Sequence, residues 1–239
     1  GERQDAVEEL VNQPALRDGL QECLKEVFDL ERILSRLEVG SANARDLVSL
    51  RASLGTLPRL KEQLQSARSG LLRKLTDRVH LHNEIYDTLN AAIVEEPPFT
   101  VREGGMIKDG YDLELDELHD IARNNSQWMA NFERKIKDST GIKTLKVGFN
   151  KVFGYYIEVS KGQTSQVPAD FIRKQTLVNA ERYIVPELKE FENKILSAKE
   201  KIEALEYYIF NTIREKIRAH IPEIQDTARA LAQLDVLAS

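Results

Sequence analysis

Apolar residues recur along the first 93 positions at steps of three and four, the spacing of one face of an α-helix. Leu16, Leu20, Leu24 and Val27, then Leu30, Ile33, Leu34 and Leu37, mark short amphipathic helices within 5–38. Gly40 is placed to end that run, and Ser41 or Asn43 to cap the next helix. Leu47, Leu50, Leu54, Leu57, Leu60 and Leu64 form a leucine stripe over 44–68, with Pro58 inside it to kink the helix or begin a new one. Leu72, Leu75, Val79, Ile85 and Leu89 continue the pattern over 71–93.

Pro97-Pro98 interrupts it, and Gly104-Gly105 and Gly110 follow. Thr100-Val101 and Met106-Ile107 flank the glycine pair, which predicts a short hairpin or irregular connector. Asp112 can cap a helix carrying Leu115, Leu118, Ile121, Trp128, Phe132 and Ile136 to about residue 139, where Gly141 stops it.

The period then changes from 3.6 to 2. Leu145, Val147 and Phe149 alternate with polar residues, and so do Tyr155, Ile157 and Val159, which predicts two antiparallel strands. Residues 171–178 and 181–185 make two more, joined at Asn179-Ala180, for a small sheet of about four strands. Pro186 opens the last long helix, with Leu188, Phe191, Ile195, Ala198, Ile202, Leu205 and Ile209 in alternating steps of three and four. That seam predicts a coiled coil. A helix enters the β module and another leaves it, each with an apolar stripe, so the two pair antiparallel as a stalk with the sheet at its tip.

The predicted fold is therefore mainly α with a small inserted antiparallel β-sheet. A discontinuous helical core takes residues 1–113 with 210–239. Residues 114–209 form the inserted unit, with its β module at 142–185.

Composition changes this picture little. The 239 residues carry a net charge of -5, with 31% charged and 7% aromatic side chains, a balance suited to long helices. Local charge says more. Within 142–185, Lys143, Lys146, Lys151, Lys161, Arg173, Lys174 and Arg182 face only Glu158, Asp170 and Glu181, a local +4 against -9 elsewhere. A basic tip on an acidic stalk suits phosphate contact, and Asn150, Ser160, Gln163 and Thr164 could donate to phosphate oxygens. Solvated lysines on a small sheet would look the same, so charge alone leaves DNA binding open.

The single Cys23 permits no internal disulfide and fits a buried small hydrophobe in a reducing compartment. No signal peptide and no apolar run of spanning length is visible, which predicts a cytoplasmic protein without membrane contact. The chain opens on Gly1 inside a helical pattern and closes inside another, which reads as a piece of something larger.

No catalytic constellation is visible. His80 and His82, two apart on an expected helix, would point to different faces and could not share a metal. His119 and His220 stand alone, Glu95-Glu96 reads as a helix end, and no nucleophile has a base beside it. The chain is read as a non-enzyme with no small-molecule substrate.

The sequence from Leu145 to Asn150 (Leu-Lys-Val-Gly-Phe-Asn), then Phe153 to Val159 (Phe-Gly-Tyr-Tyr-Ile-Glu-Val), closely resembles the clamp-domain signature of bacterial MutS proteins. Arg173-Lys174-Gln175-Thr176-Leu177, Asn179 to Ile184 and Pro186-Glu187-Leu188-Lys189 resemble the block that follows. Ala6 to Leu10, Asp29-Leu30-Glu31-Arg32, Glu103-Gly104-Gly105, Gly110-Tyr111-Asp112 and Leu231 to Leu237 resemble the family's lever domain.

The resemblance implies that helical levers join DNA-reading and ATPase domains, and that the inserted clamp grips the backbone of double-stranded DNA without reading sequence. It implies Lys146, Asn150, Lys151, Lys161, Arg173 and Lys174 as phosphate contacts, with Arg182 and Asn179 ranked lower because they are as suited to holding the second hairpin together. It also implies ATP, magnesium and a homodimer for full-length members. This chain lacks both the Phe-x-Glu mismatch reader (Phe191-Glu192-Asn193 has the wrong spacing) and a G-x-x-x-x-G-K-[ST] loop, so no cofactor is expected in it. The competing reading is a purely structural coiled-coil and lever module that binds a protein partner.

Overall fold

The computed structural model describes residues 1–27, 30–100 and 104–239. They divide into two compact units, one made of Gly1–Tyr111 with Leu205–Ser239 and the other of Asp112–Ala204. The architecture is mainly helical with one small four-stranded sheet.

The first unit holds α1 (Glu2–Asn12), α2 (Pro14–Glu26), α3 (Leu30–Glu38), α4 (Ala44–Leu64), α5 (Gly70–Arg78) and α6 (Asn83–Ala92). It also holds the later part of α9 (Pro186–Arg218) and all of α10 (Ile221–Ala238). Helix α4 is its centre. All six stripe leucines are buried, and so are Asp46, Arg51, Ser53 and Thr56, as expected of a helix packed on nearly all sides.

The start of α4 is fixed by a reciprocal cap. Asn43 accepts from the Asp46 amide at 2.8 Å, and Asp46 accepts from the Asn43 amide at 2.9 Å. Arg36 holds the same Asp46 carboxylate at 3.0 Å. Pro58 neither ends α4 nor opens a new helix: its ring lies on an exposed position, and packing of the flanking leucines carries the helix through.

Two buried charges tie the connectors down. Arg51 donates to the carbonyls of Ile93 at 2.7 Å and Leu89 at 3.4 Å, closing the end of α6 against α4. Glu206, fully buried on α9, accepts from the Gly105 amide at 2.6 Å and the Ile107 amide at 3.3 Å. The connector also makes an antiparallel bridge between Ile93 and Ile107. Asp29, Val101 and Glu103, part of the stretches singled out in the sequence, lie outside the described residues.

The continuous helix expected over 71–93 is two helices. The chain breaks at 79–82, where His82 takes a left-handed φ of 52°. The rings of His80 and His82 consequently do not diverge; they meet edge to face with centroids 6.2 Å apart. His82 Nε2 lies 2.8 Å from the buried hydroxyl of Thr227 on α10. Among the described residues no cluster of three or more His, Cys, Asp or Glu could hold a metal ion, and no helix is long and apolar enough to cross a membrane.

The second unit begins with α7 (Leu113–Arg123), capped by Asp112, whose side chain accepts from the Leu115 amide at 2.9 Å. Here too one expected helix is two, because α8 (Asn125–Thr140) starts after an interruption at Asn124. Helix α8 lies antiparallel to the start of α9. Trp128 stacks on Phe191 with centroids 3.6 Å apart, and one to two turns further along, Lys135 reaches Glu187 at 3.0 Å. Trp128, Phe132 and Phe191 make a continuous aromatic stack. Of the heptad positions, Leu188, Ile195, Ala198 and Ile209 are buried, while Phe191, Ile202 and Leu205 are half-buried.

Between these helices the chain forms β1 (Lys146–Asn150), β2 (Gly154–Ser160), β3 (Ile172–Thr176) and β4 (Ala180–Ile184). The strands are antiparallel in the order β1-β2-β4-β3. One face of the sheet, carrying Leu145, Ile157, Val159, Tyr183 and Val185, closes over Phe132, Ile136 and Leu188 to form a single core.

Candidate nucleic-acid interface

Cross-strand pairing fixes what the other face of the sheet presents. Lys146 pairs with Glu158, Glu158 with Arg182, and Arg182 with Gln175, so one polar row crosses all four strands. Arg182 donates to Glu158 at 3.0 Å and to Gln175 at 2.9 Å, and its guanidinium lies 4.3 Å from the centre of the Tyr156 ring. Tyr156 can lie there because its cross-strand partner is Gly148, where a Cβ would meet the tyrosine oxygen at 2.5 Å. Arg182 thus holds the sheet together.

The six predicted contact residues do not form one cluster. Thr144, Ser160, Gln163 and Lys161 gather at one end of the sheet, where the Ser160 hydroxyl donates to Thr144 at 2.9 Å and Thr144 donates to Gln163. Lys161 leads the 3-10 turn Lys161–Gln166, and its amide donates to the Asn179 carbonyl at 3.1 Å. Lys146 lies two residues beyond Thr144, so it belongs to this end. Lys143, counted in the charge of the module but not among the six, is exposed there as well.

Asn150 and Lys151 lie at the opposite end, a strand length of roughly 20 Å away. The side-chain Oδ1 of Asn150 accepts from the Val152 amide at 2.7 Å, which shapes the β1–β2 turn. That turn faces α9: a Cβ on Gly154 would sit 1.9 Å from the Glu192 carboxylate. Arg173 and Lys174 are on the edge strand β3, where an irregularity in the pairing with β4 leaves Lys174 as the extra residue.

The bases of the module divide by type. Arg182 and Arg173 are paired, with Glu158 and, at 3.5 Å, with Glu181. Among the described residues Lys143, Lys146, Lys151, Lys161 and Lys174 are exposed and have no carboxylate partner. Glu181 also accepts from the Tyr183 hydroxyl at 2.5 Å. That hydrogen bond, helped by the charges of Arg173 and Lys161, holds its pKa below the usual carboxylate value against the opposing effect of desolvation. Burial, together with the same bond, pushes the Tyr183 hydroxyl up to about 12, so it stays a donor at any physiological pH.

Comparison with known proteins covers the whole chain. Residues 1–239 match the family model described as MutS domain III. A protein of Methanosarcina mazei named DNA mismatch repair protein MutS is 52% identical over 240 residues, which cover 99% of this chain and 27% of the relative. Similar proteins of the same name from Symbiobacterium thermophilum and Desulforamulus reducens are 49% and 47% identical, again over 99–100% of this chain and 27% of their own length. The chain thus spans about a quarter of the relatives that it matches.

Proposed function

The chain belongs to the MutS domain III family, and from that premise we propose that its sheet-bearing unit is a clamp on the backbone of double-stranded DNA. The helical unit acts as a lever joining it to mismatch-reading and ATPase domains of a longer, homodimeric, cytoplasmic protein. The division at Tyr111/Asp112 and Ala204/Leu205 suits a clamp inserted into a lever, and the α8–α9 pair suits a coiled-coil stalk.

The observation that carries the reading is the set of exposed, unpaired lysines on the β module of an otherwise acidic chain. Lysines without carboxylate partners give up little when they meet a phosphate. Their charge acts at any base sequence, so the grip is non-specific. Lys146, Lys151, Lys161 and Lys174 are its principal contacts. Asn150 contributes through its amide nitrogen, because its oxygen serves the turn. Arg173 takes part by exchanging Glu181 for phosphate.

The test is paired charge reversal. Lys146→Glu with Lys161→Glu should weaken binding to a matched duplex by tenfold or more at low salt. The same number of reversals on the lever, Lys25→Glu with Lys61→Glu, should change it less than twofold. Equal effects of the two pairs would show that net charge, and not the clamp, sets the affinity.

A further inference from the structure

Exposed apolar side chains gather at one place in the second unit that phosphate contact does not explain. The β1–β2 turn and α9 enclose an open cleft of about 420 Å³. Phe149, Val152 and Leu196 line it and are 58%, 92% and 52% exposed. Phe153 and Ile195 continue the apolar wall. A turn usually carries polar residues, yet Val152-Phe153 is apolar at the tip of this one.

The rim has a single sign. Lys151 stands on the turn side, and Lys189 and Lys199 on the helix side. The one carboxylate in the cleft, Glu192, is 8% exposed and is held by Lys189 at 3.1 Å, so it offers little repulsion to an incoming acid. Lys189 to Lys199 spans roughly 15 Å of helix, about three turns of a partner helix laid alongside.

We propose that this cleft docks an acidic amphipathic segment of a protein partner, with apolar side chains on Phe149, Val152 and Leu196 and carboxylates beside Lys151 and Lys199. The apolar floor selects the class of partner. A sugar–phosphate backbone could neutralise the lysines, but it would leave three large apolar side chains against a hydrated, charged surface. An amphipathic helix with carboxylates flanking its apolar stripe satisfies both features at once.

The probe is a fluorescein-labelled 18-residue peptide with Leu and Phe at i, i+3, i+4 and i+7 spacing and Glu elsewhere, titrated with the 239-residue chain and read by anisotropy. The chain is net -5, so its overall charge repels this peptide and binding reports the local rim. The peptide should bind, while its counterpart with Lys in place of Glu should bind at least tenfold more weakly. Leu196→Glu should weaken binding at least tenfold, and so should Val152→Asp, a second variant on the turn that leaves α9 untouched. Leu113→Glu, at another exposed apolar position, on α7 and outside the cleft, should have no effect.

No binding at millimolar concentration would overturn the proposal, as would equal affinity for the two peptides or indifference to both cleft variants. A short duplex whose own affinity falls tenfold in Leu196→Glu would also overturn it, by assigning the cleft to DNA.

Discussion

Replacing Gly154 by alanine tests how the β1–β2 turn is seated on α9. Gly154 has a φ of 87°, in the left-handed region, where a side chain costs about 1–2 kcal/mol. The new Cβ would also stand 1.9 Å from Glu192 Oε1 and 2.6 Å from its Cδ. Glu192 is buried and paired with Lys189, so it can yield only by moving the turn or breaking that pair. Overpacking of this kind costs about 1–3 kcal/mol. The two effects together predict a loss of roughly 2–5 kcal/mol in the second unit, which moves its unfolding equilibrium by thirtyfold or more.

Urea unfolding followed by tryptophan fluorescence reads this directly. Trp128 is the only tryptophan, and it packs against the core that includes the sheet. Gly162→Ala is the control, since nothing lies within 4 Å of a Cβ there and its φ is not left-handed; it should stay within about 0.5 kcal/mol of the parent. Adding Glu192→Ala to Gly154→Ala should recover the steric part and leave the backbone part. If Gly154→Ala unfolds at the same urea concentration as Gly162→Ala, the seating of the turn has been misread.

Three further perturbations have defined outcomes. Arg51→Met should cost about 1–3 kcal/mol in the first unit, measured by circular dichroism, because the Ile93 carbonyl loses its buried donor while the Leu89 carbonyl keeps only the Ile93 amide; an unchanged midpoint would deny Arg51 that role. Burial and the neighbouring His80 lower the pKa of His82, so its neutral form is favoured in the folded state. Stability is therefore present above pH 6.5, the usual histidine value, and is lost as pH falls below it while the unfolded chain takes up the proton. His82→Asn, which tolerates the left-handed backbone, should flatten that loss, and a parallel pH profile would count against it. Ile195→Asp puts a charge in the buried seam of α9 and should cost about 3 kcal/mol or more in the Trp128-detected unfolding free energy, whereas the half-buried Ile202→Asp should cost less; equal costs would refute the burial difference.

The periodic elements were legible because burial enforces them. The leucines of α4 and the alternation of β1 and β2 mark surfaces that must be dry, and each element forms where its pattern runs. The breaks were harder to read. Val79 and Ile85 keep helical spacing on either side of a gap that contains neither Gly nor Pro, so nothing in the sequence announces the left turn at His82. The break between α7 and α8 did carry a signal, the capping run Asn124-Asn125-Ser126, which the unbroken apolar period masked.

The candidate interface was legible as composition but not as geometry. The local excess of Lys and Arg was countable, yet only strand pairing separates Lys151 from Lys161 by the length of β2 and ties Arg182 to Glu158. The cleft beside α9 was missed because Phe149 alternates correctly for a core-facing strand residue. It is nevertheless exposed at the end of β1, where it lines the cleft against α9. The one available signal was the apolar pair Val152-Phe153 in a turn.

The measurement that bears most directly on the clamp is duplex affinity across a salt series, by anisotropy, with matched and mismatched DNA. A backbone grip through four lysines predicts that log affinity falls against log salt with a slope of roughly -3 to -4, identical for the two duplexes. A slope near zero, or tighter binding to the mismatch, would contradict it.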